Sequence, residues 1–301
     1  MSFPLPTALS PSKVGSFNDC ALAFRFSAID HLPEPPSLPA VKGTLVHRAL
    51  EKLFWDVPPG SRSAAAGQDC LAQAWEEVIQ GSEWAGLGLD EVGAEEMLAD
   101  AGALVEQYFT MEDPDAVRAI GTELWVEGRL GSLALRGIID RLDLDDDGRL
   151  VVTDYKTGKV PGMAQEQARL RGVHFYSFLC EQALGVRPAK VQLLYLRDAV
   201  MISTEPSEQS TRGMVTRTRA VWAAVERACE HEDFRPRPSA LCDWCSLQSW
   251  CPAFGGDPSL ARADAAAGAG GAGADGAGGA GAGGAGAGVG GGAGVGGGAG
   301  A

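Results

Sequence analysis

Residues 133–157 read LALRGIIDRLDLDDDGRLVVTDYKT, and this stretch decides the fold. Apolar and polar residues alternate on both sides of Asp145-Asp146-Asp147-Gly148, whose composition is that of a turn. An antiparallel hairpin is expected. With a four-residue loop, Leu144 would pair with Arg149, and Asp140 would face Thr153, one residue from Asp154. Asp154 and Lys156 are two apart on one strand and share a face. Asp140 ends the apolar run Gly137-Ile138-Ile139, and Asp154 soon follows Val151-Val152. A charge at the end of a buried strand usually has a partner or an ion. Two acids and a lysine on one patch suit metal-assisted phosphodiester hydrolysis. Carboxylates bind hard ions such as Mg²⁺ or Mn²⁺. Such an ion activates a water, and a lysine orients that water or stabilises the developing charge. The competing reading is an acidic surface turn, to which Asp143, Asp145, Asp146 and Asp147 are assigned.

Outward from the hairpin, ELWVEGRL upstream reads as a further strand, and residues 68–110 read as helical with an interruption between Gly86 and Gly93. A helix is expected over Gln165–Leu184, ending at Gly185. Strands follow near Lys190–Arg197 and Val200–Thr204, then a helix from about Ser207 to His231. Helices, strands, helix, strands, helix is the order of an α/β domain with a mixed sheet flanked by helices. Gly43-Thr44 precedes the helical pattern LVHRALEKLFW. There His47 and Glu51 share a face. Imidazole beside carboxylates suits Mn²⁺ as well as Mg²⁺, and a surface His–Glu pair is the alternative.

Seven cysteines are present. Cys242, Cys245 and Cys251 form C-x2-C-x5-C, a spacing that suggests metal more than disulfide in a reducing compartment. A closed site needs a fourth ligand, and Cys20, in the N-terminal helical stretch, is the best candidate. Such a centre would staple the N- and C-terminal ends together. Thiolate count alone does not separate zinc from a [4Fe–4S] cluster. Cys70, Cys180 and Cys229 lie in apolar helical settings, where a buried free thiol is the ordinary reading.

The formal charge of -14 argues against nucleic acid as a partner when taken as a sum. Local basic clusters exist nonetheless, at Lys156/Lys159, Arg169/Arg171 and Arg235/Arg237. From about Ala265 the chain is almost only Gly and Ala. Residues 258–301 are therefore expected to form a disordered tail behind a body of residues 1–257. No apolar run approaches a membrane span, and the N-terminus lacks the basic and apolar blocks of a secretory signal. A cytoplasmic location without membrane association is expected.

Four pieces in this order resemble the PD-(D/E)XK nuclease superfamily, closest to the RecB-type exonuclease domain with iron–sulfur cysteines, as in AddB and the CRISPR-associated iron–sulfur nucleases. GTLVHRALE at Gly43–Glu51 resembles the family's G-x-x-x-H-x-x-L-E element. RGIIDRLD at Arg136–Asp143 resembles its second motif, and DYKTG at Asp154–Gly158 its D/E-x-K motif. Cys20 with Cys242, Cys245 and Cys251-Pro252 is similar to the one-plus-three arrangement of its iron–sulfur members. The resemblance implies a restriction-endonuclease-like core. It implies His47, Asp140 and Asp154 as ligands of Mg²⁺ or Mn²⁺, with the Tyr155 carbonyl as a further donor and Lys156 as the catalytic lysine. It implies a [4Fe–4S] cluster, with zinc as the alternative. It also implies DNA ends or single strands as substrate in repair or recombination, beside a separate helicase subunit. The Walker A pattern does not occur in the chain, so no motor is expected within it. Where the family carries Q-L-x-x-Y after the D-x-K motif, Tyr176 fits the tyrosine but Gly172 replaces the glutamine. Gln167 could compensate from about one turn earlier. Glu51, Gln167 and Tyr176 are thus expected near DNA or the ligands. The change at Gly172 leaves a second reading, a weakly active or inactive DNA-binding subunit on the same fold.

Overall fold

The computed structural model describes residues 2–160 and 162–263, without the side chains of 163–171. The expected tail, save for residues 258–263, lies outside the described residues. The body, Met1–Arg262, forms one unit.

Strand β1 (Ala8–Leu9) leads into helices α1 (Pro11–Asp19) and α2 (Ala21–Ala28). Helices α3 (Leu38–Trp55), α4 (Ala64–Val78), α5 (Ser82–Leu87) and α6 (Glu91–Tyr108) follow. Strands β2 (Arg118–Leu130), β3 (Leu133–Leu144) and β4 (Leu150–Lys156) come next. Then come α7 (Met163–Leu184), β5 (Lys190–Tyr195), β6 (Val200–Thr204) and α8 (Glu208–His231), before single 3-10 turns around the last three cysteines. The sheet order is β1-β3-β4-β5-β6, with β2 also on β3. The β4-α7-β5 unit is parallel and the hairpins antiparallel, giving the mixed sheet expected.

The register of this sheet makes the site. Strand β2 occupies one edge of β3 along its length, from Arg118↔Leu144 to Leu130↔Leu133. The other edge takes β1 at Ala134 and Leu135 and β4 at Arg141–Leu144. Between them, residues 136–140 of β3 have no strand partner on that side. The β4 strand leaves β3 after Thr153, and the backbone N–H of Tyr155 donates to the Asp140 carboxylate at 2.7 Å. A side chain thus takes a donor that a strand would have satisfied.

The hairpin loop is one residue longer than expected. Leu144 pairs with Leu150, not Arg149. The Asp145 carboxylate accepts the backbone N–H groups of Asp147 (3.1 Å) and Arg149 (2.8 Å), and Asp145 N–H closes on Arg149 O at 2.9 Å. This self-capping five-residue loop moves the register by one, so Asp140 comes level with Asp154 rather than Thr153.

Helix α3 begins at Leu38, earlier than Gly43-Thr44 suggested, because Ser37 and Pro39 supply its first turn. It buries Val41, Leu45, Val46, Ala49, Leu50, Leu53 and Phe54 against α4, α6, Tyr155 and Leu194. At roughly 1.5–3 kcal/mol per fully buried large side chain, this face fixes the helix on the sheet. His47, at the border of that face, is turned toward the sheet, with its Nε2 near the Tyr155 carbonyl.

The N-terminal helical stretch is two helices. Cys20 stands at the break in extended conformation (φ -159°, ψ 112°), its N–H bonded to Ser16 O. Hydrogen bonds and an ion pair also join the terminal regions. Phe3 N–H donates to Cys229 O (3.1 Å), Arg237 to Asn18 O (2.8 Å), and Arg262 pairs with Asp30 (2.6 Å).

Charge is segregated. Between Arg62 and Arg118 the chain carries 13 acidic residues and no lysine or arginine, against a net charge of -14 overall. This segment is chiefly α4, α5 and α6.

Candidate active site

A cavity of about 670 Å³ opens at the unpaired edge of β3. Its walls include Asp140 from β3, Asp154 and Lys156 from β4, His47 from α3, Glu123 from β2 and Tyr176 from α7. Each element brings its residue by a rule already stated. The register levels Asp140 with Asp154, period two puts Lys156 beside Asp154, and the buried stripe of α3 turns His47 inward.

His47 Nε2 lies 3.1 Å from Tyr155 O, and its Nδ1 lies 3.6 Å from Asp140 Oδ2 and 4.0 Å from Glu123 Oε1. His47, Glu123 and Asp140 each offer a ligand atom, all within 4.8 Å of one another. Asp154 pairs with Lys156 beside them. Among the sequence-derived ligands, His47 and Asp140 thus share one cluster with Glu123, while Asp154 faces its lysine across the same cavity.

Burial, then the neighbouring Asp154, pushes the Asp140 carboxyl well above the usual carboxylate range. Lys156 and the Tyr155 N–H oppose this. Burial, and next Glu51, raises Glu123. Burial lowers His47, which favours neutral imidazole with a free lone pair. The donor set fits a hard divalent cation. Around an octahedral ion with bonds of about 2.1 Å, donors stand roughly 3–4.2 Å apart. Such an ion would add countercharge to that of Lys156 among these crowded carboxylates.

The alternation of β2 did not single out Glu123, and the sequence nevertheless held a signal. Gly131-Ser132 between Leu130 and Leu133 is a two-residue turn, with Gly131 at φ 69°. Counting back from Leu130↔Leu133 brings Glu123 level with Asp140. Glu123 itself has φ 45°, a conformation uncommon outside glycine and one that concentrates at functional sites.

Glu51 does not line this cavity; it lines a second one of about 390 Å³ that shares His47 and Glu123 with it, and is paired to Arg48. Tyr176 is seated by the close approach of α7 to β3. A Cβ added at Gly137 would stand 3.0–3.1 Å from Leu179 and Tyr176. Burial, then Asp154, raises the Tyr176 hydroxyl and keeps it neutral. Gly172 lines the cavity, and a Cβ there would meet nothing within 4 Å. The side chain of Gln167 lies outside the described residues, as do those of Arg169 and Arg171.

Asp143, assigned to the surface, is 5% exposed. Its carboxylate accepts from Arg141 Nε (2.7 Å) and Thr153 Oγ1 (2.9 Å). The Arg141 guanidinium, 1% exposed, also reaches Tyr108 OH (3.0 Å), Tyr155 OH (2.8 Å) and Glu112. The acidic turn begins at Asp145, and Asp143 is not part of it. Asp143 belongs to the strand and points into the interior with Arg141, two residues away.

Cys20, Cys242, Cys245 and Cys251 line a separate cavity of about 480 Å³. Among the described residues, only His47, Glu123 and Asp140 bring three ligand atoms within 4.8 Å. No three of these four thiols lie within that distance of one another. Cys70, Cys180 and Cys229 are buried, as expected. No described helix is long and apolar enough to cross a membrane.

A model of the PD-(D/E)XK nuclease superfamily matches residues 8–252. The Gene 69 protein of Mycobacterium phage D29 is 25% identical over 275 residues, which cover 81% of this chain and 96% of the phage protein. A crystal structure of a candidate exonuclease from Eubacterium rectale superposes on 80% of this chain and 93% of its own, at 11% identity and TM-score 0.46.

Proposed function

The chain belongs to the PD-(D/E)XK nuclease superfamily, and from that premise we propose that it is a divalent-metal-dependent deoxyribonuclease of RecB type, an exonuclease acting on DNA ends or single strands in repair or recombination. One observation carries the reading. His47, Glu123 and Asp140 converge within 4.8 Å of one another, in the same cavity as the Asp154–Lys156 pair.

His47, Asp140 and Asp154 would hold Mg²⁺ or Mn²⁺, with Glu123 and the Tyr155 carbonyl beside them. The ion supplies charge for the developing phosphorane and lowers the pKa of a water. The chain's own groups do the rest. Lys156 positions the attacking water and offers positive charge where the phosphodiester becomes more anionic. Asp154 holds the Lys156 ammonium in place. Tyr155 N–H orients Asp140, and the Tyr155 carbonyl orients the His47 ring, so one peptide group aligns both donors. Tyr176 closes the inner wall against water. A helicase would act as a separate partner.

Cys20, Cys242, Cys245 and Cys251 would hold a [4Fe–4S] cluster. The four thiols line one cavity of about 480 Å³, which supports a shared centre there. Visible absorbance of anaerobically purified protein tests this; a colourless zinc protein would refute it.

Asp154→Ala or Lys156→Ala is expected to abolish Mg²⁺- or Mn²⁺-dependent digestion of end-labelled DNA while leaving the melting temperature near wild type. Full cleavage by either purified variant would overturn the assignment.

A further inference from the structure

We propose that Trp125 and Arg136 form a stacking platform for an unstacked base of single-stranded DNA beside the scissile phosphate, which deepens the nuclease reading and rests on it. Trp125 on β2 pairs with Ile138 on β3, and both line the active-site cavity. They are 56% and 40% exposed, so a large apolar surface faces water next to a cluster of charges. Trp55 and Trp244 are more exposed still, so exposure alone selects nothing; what sets Trp125 apart is that it forms an apolar patch with Ile138 inside the charged cavity.

The indole is open but not loose. Its Nε1–H donates to Glu127 Oε1 at 3.0 Å, and Arg136 Nε lies 2.9 Å from the same oxygen. The Arg136 guanidinium carbon stands 6.0 Å from the indole centroid. Glu127 therefore holds the indole by a hydrogen bond and keeps the Arg136 guanidinium beside it by an ion pair. A face fixed in advance loses little entropy when a flat ligand settles on it.

Position selects the ligand. Trp125 is two residues from Glu123 on the same strand, about 6.6 Å along it. That is the reach of the first base next to a phosphate held at His47, Glu123 and Asp140. A base inside a duplex is already stacked and paired, so this surface favours a single strand. It offers a ring face and a cation but no pattern of donors that reads a base edge, so it tolerates any sequence.

The test uses fluorescein-labelled dT12 and an abasic dodecamer with the same sugar–phosphate chain, their binding read by anisotropy in EDTA. Wild type is expected to prefer dT12. Trp125→Ala should weaken dT12 about tenfold and leave the abasic strand unchanged, and Trp125→Phe should keep most of the preference. With Mn²⁺, Trp125→Ala should raise KM on single strands while kcat holds. Equal dT12 affinity of wild type and Trp125→Ala, or an equal loss on the abasic strand, would overturn the platform. The two readings fail separately. A protein that shows the Trp125-dependent preference yet cleaves nothing sinks the nuclease and keeps the platform. A protein that cleaves single strands with an unchanged KM in Trp125→Ala does the reverse.

Discussion

Replacing Arg141 by methionine should cost stability out of proportion to its size. The substitution keeps an apolar stem of similar length under Phe54, whose ring lies 4.5 Å from the guanidinium carbon. It removes the cation shared by Asp143, Glu112, Tyr108, Tyr155 and Thr153. Asp143 is already raised by its burial with the guanidinium present. Without it, two carboxylates stay inside with no countercharge. Removing one partner of a buried ion pair typically costs about 3–5 kcal/mol. For a body of this size, about 2–4 °C is lost per kcal/mol, so Tm should fall by roughly 6–20 °C. Thermal and urea melts of wild type, Arg141→Met, Asp143→Asn and the double variant give the coupling energy directly. The double variant should regain a large part of the loss, because it no longer strands the Asp143 charge. A single variant within 2 °C of wild type, or a double variant that melts at the sum of the two losses, would refute the reasoning. Well below their melting points, Arg141→Met should also cut DNA more slowly. Tyr155 loses a hydroxyl partner, and its peptide group aligns both His47 and Asp140.

Glu123→Gln should raise the Mn²⁺ concentration for half-maximal cleavage at least about tenfold with little change in Tm, since it removes a charge and keeps the shape; metal titration by calorimetry checks this. Acid should oppose metal at Asp140. Its raised pKa means protons compete for the carboxylate at higher pH than for an ordinary aspartate, while lowered His47 stays neutral, so half-saturating Mn²⁺ should climb up to tenfold per pH unit on acidification. The metal-free protein should behave oppositely. The contribution of Asp140 to its stability is fully present below the unfolded pKa and is lost as pH rises through the folded one, so Tm in EDTA should drop over that rise. Gly172→Ala should stabilise α7 by about 0.5–1 kcal/mol, because a Cβ there meets no atom within 4 Å and the helix loses a flexible residue; a lower Tm would count against it.

Much of the site was legible because it hangs on local spacing. Asp154 and Lys156 share a face by the pleat of one strand, and His47 faces inward by the apolar stripe of one helix. What the sequence hid depends on pairing between strands. The one-residue slip at Asp145–Arg149 comes from a carboxylate capping its own loop, and no periodicity records it. Glu123 becomes visible only when β2 is laid on β3 from the Gly131-Ser132 turn. Asp143 reads as surface because four aspartates nearly in a row look solvated; its partner Arg141 is on the same face, but the other groups around that guanidinium, Glu112 and Tyr108, come from far upstream. The break at Cys20 escaped because ALAFRFSA continues a helical pattern across it. The C-x2-C-x5-C run was plain, yet that Cys20 shares its cavity follows only from how the terminal regions fold back on each other.

The segregation of charge between Arg62 and Arg118 has a consequence for how a polyanion meets this protein. None of those acidic residues lines the active-site cavity. Their repulsion of a phosphate backbone therefore acts from outside the cavity and over a distance, not on the groups that would touch the strand. It fades beyond a Debye length of about 8 Å at physiological salt, so moderate salt should ease the approach of a strand to this acidic protein.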